Sequence, residues 1–468
     1  MPYKPADVER PAGPRAGGPA PSDTRSDFAH DRDRILYASA FRRMAGKAQV
    51  VSVSELGLYH TRLTHSLKVA QLGRRLAERL QQQYLATTRR RQRRDELVPP
   101  DPDLVEAACL AHDIGHAPFG HVGEAVLLEE FDRLLRLKAT RRTSDLKLRE
   151  AGGFEGNAQT FRILAYLSAR RPLSPRWGLN LTRATLDATI KYPRFRTDGA
   201  QIFTKWGAIQ LDKSRFEWVR GSNGVGGTAE QCFEAQLMDW CDDVTFAVHD
   251  IVDFYRGGHI PLDRLFVLSQ PTKSKSSRQL SNEAKDFLRQ IAEKRGWDLN
   301  EAEEAWRELA PLAEVYDPWT ANLQVKAATQ FITSQLITYF VSGVGYDGTA
   351  PCRYEARLVI DPDPVVEKRK RLVCDLLKGL LWFYVIERPA MATQQHGQAR
   401  IVRELLSMVH ADALELLPAD RQEDLEDHGD VLRASTDYVA SLTEQDAEIL
   451  FHRLTGVRLG ALTDVIHT

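Results

Sequence analysis

Apolar residues recur at helical spacing through most of the chain, and few stretches alternate as strands do. Three of these patterns stand out because each carries polar residues on its apolar stripe. The first runs from about Arg62 to Tyr84, with His65, Val69, Leu72, Leu76 and Leu80 at i, i+4, i+7 spacing. His65 therefore points inward. The second opens after Pro100 and Pro102, with Asp103 as the expected cap; its stripe is Val105, Ala108, Cys109 and His112, and Gly115 and Pro118 end it. The third, about Glu230 to Tyr255, places Ala235, Met238, Asp242, Phe246 and His249 on or near one face, and Gly257-Gly258 stops it. Here the inward residue is a carboxylate.

Outside these helices the reading is coarser. Residues 1 to 30 are dense in Pro, Gly, Ala and charge with almost no aliphatic side chains, so they are expected to stay an unordered tail. Residues 31 to 265 are read as the catalytic core. Residues 266 to 468 are read as a helical C-terminal region packing on that core, with a polar loop near 271 to 282. Helical stretches are expected near 283 to 310, 322 to 342, 364 to 386, 398 to 417 and 430 to 460, and short β-hairpins between 194 and 222. The expected fold class is all-α.

Composition narrows the partners. At 468 residues and 43% hydrophobic content the chain can bury a large core, and Lys+Arg 63 against Asp+Glu 64 leaves a net charge of -1. No global field draws in nucleic acid or membrane, so any basic site must be local. The five cysteines lack C-x-x-C spacing, no apolar signal core opens the chain, and no run approaches the roughly 18 apolar residues of a membrane span. The expected location is the cytoplasm, with no membrane partner. The run Arg89 to Arg94 is read as a solvated helix end, with weak binding of single-stranded nucleic acid as the alternative; it has no interleaved aromatics. GSNGVGG (221 to 227) matches a phosphate loop only in glycine content and is read as a flexible connection.

Five of the 13 histidines fall between His60 and His121, and His112-Asp113 is an adjacent pair at a helix end. A lone inward histidine is ordinarily a satisfied core residue. Burying His65, His112, Asp113 and Asp242 together is different, because buried charge is costly unless paired or bound to metal. Imidazole nitrogens with carboxylate oxygens suit a divalent ion, Mn²⁺ or Mg²⁺ first, with Fe, Co, Ni or Zn also fitting.

The segments FRRMAGKAQV (41 to 50), TRLTHSLKVA (61 to 70), ACLAHDIGHAPFGHVGE (108 to 124), GGFEGNAQTFRIL (152 to 164), TLDATIKYPRF (185 to 195) and DDVTFAVHDIVDF (242 to 254) occur in one order. Together they resemble the bacterial dGTP triphosphohydrolase-like family of HD-domain proteins. The resemblance is strong from about Arg34 to Gly257, and HGQARIVRELL (396 to 406) is compatible with it. It implies metal ligation by His65, His112, Asp113 and Asp242. It implies a catalytic pair, His121 and Glu124, and sugar contacts from Gln49 and Asp250. Arg62, Asn157, Lys191, Tyr192 and Lys205 are implied phosphate or substrate contacts. Phe246 stands where most of the family has Tyr, so one phenolic hydrogen bond near the phosphates is missing.

The activity implied is metal-dependent hydrolysis of a deoxynucleoside triphosphate to deoxynucleoside and tripolyphosphate, by a homo-oligomer, tetramer or hexamer, with an allosteric deoxynucleotide as a further ligand. Two other readings compete. Another HD nucleotidase or phosphodiesterase would share the metal site but need fewer phosphate contacts. A nucleotide-binding regulator would keep the pocket without turnover. His116 receives no firm role, and no single residue encodes the base preference.

Overall fold

The structure is a computed structural model. It describes residues 3–13, 23–49, 60–88, 99–138, 152–168, 176–198, 200–221, 230–266, 280–313, 319–320, 322–346 and 353–459. The expected polar loop at 271 to 282, the arginine run and the glycine-rich connection fall largely or wholly outside these residues.

Among the described residues the chain is all-α apart from two minimal antiparallel pairs. Thr197–Asp198 pairs with Gln201–Ile202 in the region expected to hold a hairpin, and Gly345–Tyr346 pairs with Leu358–Val359. The catalytic half is built on helices α1 (Asp27–Leu36), α2 (Arg62–Thr88), α3 (Pro102–Ala111), α4 (Gly120–Lys138), α5 (Gly156–Arg162) and α6 (Phe233–Arg256). Beyond it lie α7 (Asn282–Arg295), α8 (Leu299–Leu309), α9 (Leu323–Val341), α10 (Pro364–Leu381), α11 (Pro389–Ala411), α12 (Val431–Ser441) and α13 (Glu444–Leu454).

The α2 stripe packs as its spacing requires: His65, Val69, Leu76 and Leu80 are buried while Leu67 is exposed. On α6 the fully buried positions include Ala235, Leu237, Met238, Cys241, Val244 and Val248. Asp242, Phe246 and His249 flank that stripe and are half-buried. Helix α3 starts one step earlier than expected. Asp101, not Asp103, is the cap and accepts hydrogen bonds from the Asp103 and Leu104 amides, with Pro102 in the first turn. The Asp103 carboxylate pairs instead with Arg32 and Arg74.

Of the N-terminal thirty residues, expected as an unordered tail, residues 3–13 and 23–30 are described and hold local structure. Residues 5–8 form a 3₁₀ turn, and α1 begins at Asp27 with the Ser26 side chain as its cap. The arm is held by polar contacts rather than by aliphatic area, which is why its composition misleads. Tyr3 donates to Glu234 at 2.9 Å and its ring meets the edge of Phe28 at 4.8 Å. Arg10 pairs with Asp31.

Two apolar clusters organise the rest. One runs from Phe28 to Val385 and crosses residue 265 without a break, joining α1–α3 and α6 to α7–α10. The other joins α4 to α11–α13. The surfaces of both meet at the site.

Candidate active site and metal centre

Helix α3 ends at Ala111, and His112-Asp113 emerge from its last turn into a loop that reaches α4 at Gly120. Gly115 in that loop lies against α5. A Cβ there would sit 2.1 Å from the Thr160 amide nitrogen and 2.2 Å from the Gly156 carbonyl oxygen, so only glycine fits. Phe119 is held at φ 64°, a conformation L-residues other than Asn and Asp rarely adopt. This turn folds the loop back so that His112, Asp113, His116 and His121 all face one cleft.

His65, His112 and Asp113 are buried, and each offers one donor atom within 4.8 Å of the others. Asp242 closes the group from α6, its Oδ1 lying 3.0 Å from His65 Nε2 and 3.5 Å from His112 Nε2. The donor set fits a divalent metal. His112 Nδ1 donates to the Cys109 carbonyl at 2.6 Å, and a carbonyl can only accept, so in the neutral, metal-binding ring Nε2 carries the lone pair. That Nε2 is buried and makes no hydrogen bond among the described residues.

The electrostatics point the same way. Burial opposes charging His112, yet Asp113 and Asp242 together raise it to about 9. Burial likewise pushes the Asp242 carboxyl up, but Lys191 and His112 outweigh it and hold the group well below the usual carboxylate range. Asp113 is held low by His116, His112 and Arg62 against the same burial. The two carboxylates draw positive charge into the pocket, which a cation would supply.

The surrounding cleft encloses about 1060 Å³, at the upper end of ordinary ligand pockets and ample for a nucleoside triphosphate. Gln49, Arg62, Asn157, Lys191, Tyr192, Lys205 and Phe246 line it with His112, Asp113, His121 and Asp242. Arg62 is fully buried and donates to Asp113 at 2.7 Å. Lys191 lies 3.0 Å from Asp242 and 2.6 Å from Asp239. Lys205 lies 3.0 Å from Glu155 and 3.7 Å from Glu124.

His65 and Glu124 stand directly behind this wall, touching Asp242 and His116. Asp250 is not brought to the wall: it is buried two turns further along α6, with burial and Asp253 raising its carboxyl well above the usual range.

The two residues expected to form a catalytic pair, His121 and Glu124, lie near one another, with His116 beside them. His121 Nδ1 lies 3.6 Å from Glu124 Oε2; the imidazole is 72% exposed, free to meet substrate, while the carboxylate is buried. His116 bridges the two parts of the site, 3.1 Å from Asp113 and 3.4 Å from Glu124. Burial and the adjacent Arg62 lower it to about 4, against the pull of the two carboxylates.

Sequence reasoning missed Glu155, which caps α5, accepts from the Asn157 side chain at 2.9 Å and braces Lys205. It lies inside the quoted GGFEGNAQ segment, so the signal was present. Lys378, paired with Asp243 at 2.7 Å, and Trp382 and His396 also line the cleft. His396 opens the quoted HGQARIVRELL segment, whereas nothing in the spacing marks Lys378 or Trp382.

An HD domain is matched over residues 62–247, which contain all four metal-site residues, and a phosphohydrolase-associated domain over residues 364–453. The deoxyguanosinetriphosphate triphosphohydrolase-like protein of Streptomyces coelicolor is 35% identical, covering 97% of this chain and 98% of its own. This chain belongs to that family. The deoxyguanosinetriphosphate triphosphohydrolase-like proteins of Corynebacterium efficiens and Histophilus somni are 34% and 28% identical, again over more than nine-tenths of both chains. HD-domain phosphohydrolases hold divalent metals, so the family and the donor geometry agree on the chemistry of this pocket. Among the described residues no helix is long and apolar enough to cross a membrane.

Proposed function

We propose that the protein hydrolyses deoxynucleoside triphosphates at the α-phosphorus, releasing deoxynucleoside and intact tripolyphosphate. The observation that carries this reading is the convergence on one cleft of the buried His-Asp group and three cations, Arg62, Lys191 and Lys205. A monophosphate needs fewer.

Such a displacement requires an in-line water, neutralisation of charge on the phosphoryl oxygens and an acid for the departing 5'-oxygen. A divalent metal, Mn²⁺ or Mg²⁺ in this reading, would be held by His65, His112, Asp113 and Asp242 and supply Lewis-acid polarisation of a phosphoryl oxygen. Arg62, Lys191 and Lys205 balance the remaining charge, with Asn157 and Tyr192 as further phosphate contacts. His121, oriented by Glu124, exchanges protons with substrate; His116 keeps Glu124 in register with Asp113. Gln49 holds the sugar at the cleft wall. Asp250, buried behind that wall, is left a weaker candidate for this role. Cys109, Cys232, Cys241 and Cys374 are buried free thiols, in keeping with a cytoplasmic location.

Phosphorus NMR of the protein with Mn²⁺ or Mg²⁺ and all four deoxynucleoside triphosphates tests the bond cut. The expected products are deoxynucleoside and tripolyphosphate, with ribonucleotides turned over more slowly. Monophosphate and pyrophosphate as first products would identify a different HD phosphohydrolase. No turnover with any metal would leave a nucleotide-binding protein.

A further inference from the structure

The segment bearing Gln49 has little structure of its own. Lys47–Gln49 runs opposite His60–Arg62 with a single antiparallel bridge, Ala48 against Thr61. Two backbone hydrogen bonds hold it: Arg62 N to the Lys47 carbonyl at 3.0 Å and Gln49 N to the His60 carbonyl at 3.4 Å. Both belong to the residues on either side of Ala48. The Ala48 amide serves neither, and because Ala48 is buried that N–H has to find a partner inside the protein.

Its partner comes from the far end of the chain. Glu444 Oε1 accepts the Ala48 N–H at 3.0 Å. Glu444 is itself buried and lines the same cleft as Gln49 and Arg62. Helix α13 does not need this carboxylate for its own start, since Thr443 caps it by accepting from the Asp446 amide and donating to the Asp446 carboxylate. Neighbouring contacts tighten the junction. Lys47 Nζ donates to the His116 carbonyl at 2.5 Å and the Ala440 carbonyl at 2.8 Å. A Cβ on Gly46 would lie 2.7 Å from Thr443 Cβ, so the two segments are in direct contact there.

We propose that Glu444 is a positioning residue which, through the Ala48 amide, fixes Gln49 against the substrate sugar. The C-terminal module thereby sets how tightly the deoxyribose is held. The substrate half of this inference rests on the nucleotide reading of the cleft given above.

Three substitutions separate the contact from general packing. Glu444→Gln keeps a carbonyl oxygen at the same reach, whereas Glu444→Asp withdraws the carboxylate by one methylene and Glu444→Ala removes it. Losing one such hydrogen bond to a buried donor corresponds to about a tenfold effect. We expect Glu444→Asp and Glu444→Ala to raise KM for deoxynucleoside triphosphate about tenfold, to leave kcat within about threefold and bound metal unchanged, and to narrow the preference for deoxyribose over ribose. Glu444→Gln should restore wild-type KM. In Gln49→Ala background, Glu444→Ala should add nothing further to KM.

Hydrogen exchange of the peptide spanning residues 44–49, measured without nucleotide, gives a readout independent of turnover. It should speed up about tenfold in Glu444→Asp and stay unchanged in Glu444→Gln. Should Glu444→Ala not accumulate, the Asp and Gln variants decide alone. Equal KM and equal exchange in those two, or a loss of kcat and metal at constant KM, would overturn the proposal. A wild-type protein that turns over no deoxynucleotide would instead overturn the function, and the exchange rates would still judge the clamp.

Discussion

His112 Nε2 is the atom on which the metal reading turns. Its imidazole is fixed by the Cys109 carbonyl, and its free nitrogen lies 3.5 Å from a carboxylate oxygen of Asp113 and 3.5 Å from one of Asp242. Substituting His112→Ala or Asp113→Ala removes a donor from a group whose members face one another, so both variants should lose bound metal and turnover together while the helical fold survives. Metal analysis beside far-ultraviolet circular dichroism checks this. Full metal stoichiometry in both would remove the assignment. His121 lies outside the donor group and reaches it only through Glu124 and His116, so its loss should act on chemistry alone. His121→Ala is expected to keep metal and nucleotide binding and to lose about 10²-fold in kcat, read in a single-turnover assay; wild-type kcat would take His121 out of the mechanism. Phe246 lines the cleft one turn from Asp242, where Phe246→Tyr restores a phenol within the phosphate region. An increased rate would show that the missing hydroxyl matters, and an unchanged rate would show that the ring only packs.

The element that assembles these side chains is the short loop between α3 and α4. It must turn sharply, carry three polar side chains, His112, Asp113 and His116, inward within five residues and pack its backbone on α5. Gly115 permits the packing and the strained Phe119-Gly120 turn permits the reversal. Strain of this kind persists where surrounding structure enforces it, and here the enforcing contact is the loop against Thr160, whose hydroxyl donates to the His112 carbonyl at 3.1 Å. Gly115→Ala would drive a methyl group into backbone atoms that cannot move aside as a flexible side chain could. The expected cost is about 2–3 kcal/mol of stability, seen as a lower melting temperature, with reduced metal affinity because His112 and Asp113 shift with the loop. An unchanged melting temperature would mean that α5 yields freely.

The helix that leads into this loop, and two others that supply the site, are legible in the amino-acid pattern alone. Polar residues recurring on apolar stripes identify α2, α3 and α6 and the direction of their donors, since periodicity fixes which way a side chain faces. Distance along the chain hides the rest. Glu444 and Lys378 act by reaching across elements, and nothing local distinguishes them from solvated carboxylates and lysines. The N-terminal arm departs from its expected disorder for a related reason: Tyr3 and Arg10 order it through particular partners at Glu234 and Asp31, which composition does not register.

Across the whole molecule, the matched HD and phosphohydrolase-associated regions share a buried network of charged groups. Arg162 on α5 is fully buried, donating to Asp212 at 3.0 Å and to Asp437 of α12 at 2.8 Å. Asp437 also accepts from Gln159 at 3.1 Å, and Arg433 lies 3.3 Å away. Separating α12 from α5 would therefore break the Arg162–Asp437 pair, leaving Arg162 with Asp212 alone and Asp437 with Arg433 alone, a costly loss for buried charges. Unfolding followed by circular dichroism should accordingly show a single transition rather than two. Asp437→Ala leaves Arg162 and Arg433 without a shared counter-charge in a dry site. Removing one partner of a buried pair typically costs about 3–5 kcal/mol, so this variant should melt well below the wild type and still unfold in one step. Should Asp437→Ala instead produce two separated transitions, with the α4, α11–α13 cluster melting first, the coupling would be confined to this ion network, and the Glu444–Ala48 contact would be too weak to carry the C-terminal module with the catalytic half.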